Sequence, residues 1–464
     1  RDNRMRRVIA ISLAILVLAV GARGVMAQES EQQVSDRLLE ILKDRQIISE
    51  DEYSELKDIT VQMQEDRTQM DSRLDDIDRS IAEYLAQGGD ARGANVSHKK
   101  GMGFGFATGD GFFSLWIGGL FQTWYTGRDN DSDAMMSRDT NSISVPQARL
   151  DFSGNAFDPN LTYRFEINFG SDPYQSGVLD LWGNWDIMEG AQVRFGQMKV
   201  PYGRQWSTYQ GDLQFGVRNP ITNAFTNMFM SGRDLGLMAW DAVAFQEGGE
   251  PVFDWYAGLF NGDGTNVGGN DNNWMAVLLR ASAHPLGYLG YTEGDLDQSK
   301  FKFAVGATYY YTNNRPVVNF ATMGTQTIKT DNWGIDLAMK VSGFSFIWEY
   351  YYQKANGKGT PQVTNWGWYA QAGFLIPNSN FEILGSYGFG SWDQDMGLDE
   401  TWTWALGAAY YFDRHPFKII VFFAQADTDE GDKMPVGGLG SMYAGTILEP
   451  VKTSMLNIAF QLDW

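Results

Sequence analysis

Cysteine is absent from the 464 residues. That excludes disulfides, thiolate metal sites and haem attached through Cys-x-x-Cys-His. Histidine is nearly absent as well, with His98, His284 and His415 the only three. A hydrolase normally sets a His base beside a nucleophile, and no Ser/His/acid set can be assembled from positions so scattered. No enzymatic activity, cofactor or metal is therefore expected. Positive charge is scarce: 36 Lys and Arg stand against 57 Asp and Glu, a net charge of -21. This balance gives nucleic acid no electrostatic footing as a partner. Beyond residue 20 there is no continuous apolar run that could form a core or membrane-spanning helix.

What is present is glycine and aromatic surface: 52 Gly, 29 Phe, 21 Tyr and 16 Trp. A soluble domain would have to bury those rings, whereas a strand barrel displays them to lipid. The segment 454–464 carries the pattern most clearly. Leu456, Ile458, Phe460, Leu462 and Trp464 alternate with Asn457, Ala459, Gln461 and Asp463, so one strand face is oily and the other polar. The same alternation recurs upstream, and sixteen strands are expected. They fall near 112–125, 144–153, 161–169, 178–186, 192–200, 234–245, 252–260 and 273–283, then 301–311, 332–341, 344–352, 365–375, 381–389, 401–412, 417–426 and 454–464. Their connections alternate between short (188–190, 342–343, 377–380, 413–416) and long (127–141, 201–233, 427–453). Short turns at one rim and long loops at the other are the pattern of an antiparallel transmembrane barrel in an outer membrane. The connection 284–300 is long where a short one is due, the weakest point of the count. The expected fold class is all-β, a 16-stranded antiparallel transmembrane β-barrel preceded by a short periplasmic α-helical coiled coil.

The N-terminal part reads differently. Arg1, Arg4, Arg6 and Arg7 precede an apolar run at 8–20 and a small-x-small site at 25–27, which reads as a signal peptide over 1–27 cleaved after Ala27. Residues 28–87 are helical in pattern. Ser49 and Glu52 make a capping box, and Tyr53, Leu56, Thr60, Met63, Arg67, Met70, Leu74, Ile77, Ile81 and Tyr84 fall on a heptad seam that favours self-association. Residues 88–111 read as a Gly-rich linker, and 112–464 as the barrel, with the 201–233 loop long enough to fold inward.

Alternation also gives each strand side chain a direction. In 161–169, Leu161, Tyr163, Phe165, Ile167 and Phe169 face lipid, while Thr162, Arg164, Glu166 and Asn168 face the lumen. A charge turned into the hydrocarbon would cost up to about 2–4 kcal/mol, so this register is strongly preferred. On the same logic Arg149, Arg164, Arg194 and Arg280 are lumen candidates for anion binding. Lys199, Arg204, Arg218 and Arg233 lie in or beside the inward loop. Asp151, Glu166, Asp180, Asp186, Asp336 and Glu349 also turn inward, and Arg194 is expected to pair with Glu166. The Asp/Asn/Gly-rich stretches 127–141 and 261–273 offer oxygen ligands for Ca²⁺ but lack EF-hand spacing; they read as solvated loops.

Three stretches resemble one family: Gln147-Ala148-Arg149-Leu150-Asp151-Phe152-Ser153-Gly154, Val193-Arg194-Phe195-Gly196-Gln197-Met198-Lys199-Val200-Pro201-Tyr202-Gly203, and Gly232-Arg233-Asp234-Leu235-Gly236. In that order they are similar to the phosphate-selective porin O and P family, as is the helical pair at 38–42 and 47–53. The resemblance implies a 16-stranded, trimeric outer-membrane porin of a Gram-negative bacterium, with the 201–233 loop as its constriction. Its partners would be outer-membrane lipid, two further copies of itself, and small hydrophilic solutes or inorganic ions, anions such as phosphate among them. Phosphate passage needs Lys and Arg donors along the lumen, yet from residue 98 onward the chain has 23 bases against 38 acids. No dense basic cluster can be read from it. A second reading is structural: a barrel that spaces or anchors the outer membrane through its periplasmic coiled coil.

Overall fold

The computed structural model describes residues 95–99, 102–131, 139–172, 175–188, 190–228, 232–244, 249–270, 272–319, 324–357, 362–392, 400–428 and 452–464, together with Glu40, Lys43, Tyr53 and Lys57. The expected leader at 1–27, and the heptad seam apart from Tyr53, lie outside the described residues. The chain divides into two compact units, residues 1–93 with 377–380 and residues 94–376 with 381–464. All described strands belong to the second.

A short hairpin comes first, β1 (Asn95–Lys99) and β2 (Gly103–Ala107). The barrel strands follow: β3 (Ser114–Asp131), β4 (Thr140–Ala156), β5 (Asp158–Asn168), β6 (Gly177–Met188), β7 (Ala191–Lys199), β8 (Arg233–Val243), β9 (Phe253–Phe260) and β10 (Ala276–Ala283). The second half is β11 (Lys302–Asn319), β12 (Gly324–Val341), β13 (Phe344–Gly357), β14 (Val363–Leu375), β15 (Phe381–Ser391), β16 (Thr401–Asp413), β17 (Phe417–Thr428) and β18 (Lys452–Asp463). Each pairs antiparallel with the next, and β18 returns to β3 with Asp463 opposite Leu120 and Lys452 opposite Asp131. β3 to β18 thus form a closed barrel of 16 strands, as the alternation predicts. Closure leaves no unpaired edge along the seam, which a membrane demands because lipid offers no hydrogen bonds. Among the described residues no helix is long and apolar enough to cross a membrane.

The expected faces are observed. On β18, Leu456, Ile458, Leu462 and Trp464 are exposed while Met455, Asn457, Ala459 and Gln461 are buried. The β1–β2 hairpin differs from the expectation of a linker. β2 pairs with the first residues of β3, Phe104 opposite Ile117, next to the point where the backbones of Trp464 and Gly119 exchange two 3.0 Å hydrogen bonds. Glycine is needed there for close approach. A Cβ on Gly119 would meet the Trp464 ring at 2.7 Å.

Between β7 and β8 the chain leaves the wall and crosses the interior. Most residues from Val200 to Thr226 are buried, including the short helices α1 (Arg204–Ser207) and α2 (Pro220–Asn223). Apolar contacts hold part of this segment. Phe225 stacks on Tyr351 at 5.3 Å and on Trp392 at 5.7 Å, with Ile221 buried in the same cluster. Each such side chain contributes about 1.5–3 kcal/mol. Polar contacts hold the rest, because a loop away from a ladder must find partners for its own backbone. Glu349 on β13 is fully buried and accepts from the backbone N–H of Arg204 and, at 3.1 Å, of Gln205. Its other oxygen accepts from the hydroxyls of Tyr351 (2.6 Å) and Tyr369 (2.8 Å). Gly203 precedes this latch at φ 82, where any Cβ would meet the Tyr351 hydroxyl at 2.7 Å.

The long connection 284–301, at the short-turn rim, also turns inward rather than adding strands. It meets the crossing loop at several points. Thr208 donates to the Tyr291 carbonyl (2.6 Å), and the Glu293 carboxylate accepts from Gln205 (2.8 Å), Gln371 (2.9 Å) and the Gln214 backbone (2.7 Å). Lys418 donates to the carbonyls of Gly211 (2.9 Å) and Leu213 (2.7 Å), and to His415 Nδ1 (3.0 Å), whose Nε2 donates to the Glu293 carbonyl (2.8 Å).

Two outcomes follow. Glu349→Ala leaves three donors without an acceptor, the Arg204 and Gln205 N–H groups and the Tyr369 hydroxyl, while Tyr351 keeps Thr222 at 3.3 Å; the cost is about 1–3 kcal/mol for each that water does not reach. It is expected to lower the urea midpoint of the folded barrel and to open residues 201–226 to protease. Unchanged protection would remove Glu349 from this role. Burial and the Lys418 ammonium hold His415 well below the ordinary imidazole value of 6.5, so it is neutral at pH 7. The unfolded chain binds that proton more readily, and stability is therefore lost as pH falls below about 6.5. His415→Gln should flatten that slope in urea titrations across the acidic range.

Candidate functional site

The lumen face of β4 to β8 carries the densest charge. The register sets Asp151 opposite Glu166 and Glu166 opposite Asp180, a row of like charges across three strands. Such a row would be repulsive on its own. Three guanidinium groups interleave with it. Arg149 reaches Glu166 at 3.0 Å; Arg164 reaches Asp151 at 2.5 Å and Glu166 at 3.6 Å; Arg233 reaches Asp180 at 2.9 Å and Glu166 at 3.6 Å. The Gln175 side-chain oxygen accepts from both Arg149 (3.1 Å) and Arg233 (3.3 Å). Arg149, Arg233 and Glu166 are all buried. Three cations thus meet three carboxylates, and the patch is electrically balanced. Buried pairs of this kind are costly to break singly, about 3–5 kcal/mol for an orphaned partner.

Other sequence candidates are placed elsewhere. Arg280 on β10 reaches past Thr308 to Asp336 on β12 at 2.6 Å, through space left open by Gly306, where a Cβ would meet Asp336 at 2.5 Å. Arg204 donates to the Gly290 carbonyl and lies over the Tyr291 ring at 4.9 Å. Arg218 is buried inside the crossing loop, donating to Gln210, to the Thr208 carbonyl (2.8 Å) and to the Gln205 carbonyl (3.3 Å). Glu349 holds α1, and Asp186 is exposed at the short-turn rim.

The expected Arg194–Glu166 pair is not formed. Glu166 is taken by Arg149, Arg164 and Arg233. Arg194, half-buried, lies instead over Trp182 at 4.0 Å and Trp240 at 4.7 Å, with Nε donating to Asn184 at 3.3 Å. Its neighbour on the same strand, Lys199, donates to the Thr208 carbonyl (2.8 Å), the oxygen that also receives Arg218. Neither Arg194 nor Lys199 makes an ion pair with a described carboxylate.

Sequence reasoning missed Glu293, Glu382, Lys418 and the ring pair Trp182 and Trp240. Glu382 on β15 accepts from Gln214 (2.6 Å) and Tyr411 (2.5 Å), so it too fixes the loop. Its direction could have been read: Phe381 and Ile383 beside it are exposed. Trp182 follows the same rule, inward because Leu181 is outward. The buried ring of His284 is occupied on both nitrogens, by Asp254 at 2.7 Å and by the Leu289 N–H at 3.4 Å. Among the described residues no group of three or more His, Asp or Glu is arranged to hold a metal ion.

Known proteins similar to this chain fit the geometry. The phosphate-selective porin O and P family matches residues 117–437. In fold, the anion-selective porin from Comamonas acidovorans is similar at a TM-score of 0.55 and 10% identity, over 76% of this chain and 100% of that one. OmpT of Vibrio cholerae, in its trimer form, is similar at 0.50 and 10% identity, over 76% and 99%. OprB of Pseudomonas putida, in a high-pH structure, reaches 0.50 at 9% identity, over 76% and 95%. At such identity these structures speak for the fold alone. No curated protein matches. The family match runs from β3 to beyond β17 and the barrel is closed, so this outer-membrane channel belongs to the phosphate-selective porin O and P family.

Proposed function

We propose that this channel passes small hydrophilic solutes by diffusion and prefers anions. The observation that carries the reading is Lys199. It stands on the lumen wall where the crossing loop begins, half-buried, with a backbone carbonyl as its partner in place of a carboxylate. Arg218 adds a second positive charge to the same carbonyl oxygen. A cation held by a neutral carbonyl, with no carboxylate bonded to it, attracts anions and repels cations in a low-dielectric passage. The balanced Arg149, Arg164 and Arg233 patch supports the wall and adds no net charge, so phosphate would be one anion among several.

The family and the fold suggest the setting. The short-turn rim faces the periplasm, where residues 28–87 self-associate after removal of the 1–27 leader, and the barrels assemble as trimers. The trimer form described for OmpT and the heptad seam both support this. Cross-linking of the mature protein in detergent is expected to give a three-chain species; a monomer throughout would discard the assembly.

Reversal potentials across a KCl gradient in planar bilayers test the main reading. The wild-type channel is expected to be anion-selective, and Lys199→Gln to lower the chloride-over-potassium ratio several-fold. A cation-selective wild type would overturn the preference.

A further inference from the structure

Four neighbouring strands contribute one lumen-facing side chain each to a single stack. Trp182 on β6, Arg194 on β7, Trp240 on β8 and Tyr256 on β9 follow one another round the wall. The Arg194 guanidinium carbon is 4.0 Å from the Trp182 ring centre and 4.7 Å from that of Trp240. Trp240 in turn lies parallel to Tyr256, at 6.0 Å and 3°. We propose that this stack is a carboxylate-selecting subsite, through which the channel takes small organic carboxylates in preference to phosphate. The proposal rests on the anion preference argued above and names the class of anion.

The geometry of the guanidinium carries the argument. Its five N–H donors lie in one plane and match two oxygens of an anion side by side. The Trp182 and Trp240 rings, from the strands on either side of β7, both lie against it at 4.0 and 4.7 Å, which favours approach of an anion at its edge. The Nε position is already committed to Asn184. That amide is itself fixed: its oxygen also accepts from Trp240 Nε1 at 2.7 Å, and its nitrogen donates to Gln192 at 2.8 Å. Gln192 donates onward to Asp241 at 3.2 Å. This leaves the two terminal nitrogens of Arg194 facing the lumen, with no described carboxylate paired to them.

The shape of the anion then decides. A carboxylate places both oxygens and its carbon in the guanidinium plane. Phosphate can offer two oxygens in that plane, but its other two project above and below it, toward the ring faces. Those faces are the negative side of the aromatic quadrupole, so they repel oxygens that have also lost their water. Chloride presents a single point and gains nothing from a fork. The apolar body of an organic acid has the Tyr256 and Trp182 rings beside it. Phosphate-binding sites built on flexible lysines would show the opposite order, since a point charge does not discriminate by plane.

Bi-ionic reversal potentials on the purified full-length mature protein test this, with chloride on one side and benzoate, acetate or phosphate on the other. Wild type is expected to pass benzoate and acetate several-fold better than phosphate, relative to chloride. Arg194→Lys keeps the charge and removes the fork, and should erase the preference. Trp182→Leu with Trp240→Leu removes the ring faces, and should raise phosphate relative to carboxylate. Arg414→Gln, which removes a charge at the exposed rim, should leave the order as it is. Heat-modifiable migration on gels checks that each variant is folded. An anion-selective wild type that favours phosphate, or a folded Arg194→Lys channel that keeps the carboxylate preference, overturns the subsite and spares the anion reading. A cation-selective wild type overturns both.

Discussion

A stretch of chain drawn through the middle of a barrel has no ladder to bond with, and that constraint governs the interior of this protein. Every N–H and carbonyl from Val200 to Thr226 that loses water must be met by something else. The wall meets them with ionisable side chains. Glu349 takes the start of α1, Lys418 takes the carbonyls of Gly211 and Leu213, and Glu382 takes the Gln214 side-chain amide, while Glu293 of the 284–301 connection takes the Gln214 N–H. These groups are in the barrel for the loop, and what remains of the lumen is what they leave open. Charge-assisted bonds of this kind run about twice the strength of neutral ones, which suits a segment with little regular structure.

Sorting the lumen charges by partner separates two tasks. Arg149, Arg164 and Arg233 neutralise a row of carboxylates and brace β4 to β8. Arg204 and Arg218 serve the crossing loop, and Arg280 braces the wall against Asp336. Lys199, on the Thr208 carbonyl, and Arg194, against the Trp182 and Trp240 rings, are the two β7 cations that no described carboxylate pairs. Asp151, Glu166 and Asp180 are met by guanidinium groups, whereas Glu349, Glu293 and Glu382 are met by neutral donors of the loop and the wall. Net charge reports on the whole surface, whereas conduction responds to the few charges that lack partners.

The strands were legible in the sequence because lipid enforces the pattern. Leu456, Ile458 and Leu462 could not be exchanged with Asn457 and Gln461 without a large cost, so the face of each residue follows from its parity. Parity says nothing about height along the barrel axis. Parity alone therefore allows Arg194 to be set against Glu166, although its neighbours are Trp182 and Trp240: tilt and register set which side chains come level. The hairpin at 95–107 was hidden for another reason. Its glycines, which look like linker residues, are there because β2 lies tightly against β3; a Cβ on Gly103 would strike the Ile117 carbonyl at 1.9 Å. The inward course of 284–301 had no signal beyond its length, since its partners Gln205, Gln214 and Gln371 are far away in sequence.

The seam between β3 and β18 has a consequence for how the molecule comes into being. Gln122 donates to Gln461 across it at 2.7 Å, a bond spanning 339 residues. Loop-closure entropy grows only slowly with such a span, but the wait is long. Until β18 arrives, β3 offers a bare row of donors and acceptors to whatever strand it meets first. A second copy of the chain carries the same β18. Fidelity of closure is therefore a contest between one's own last strand and a neighbour's, and crowding of nascent barrels in a membrane would tilt that contest toward exchange.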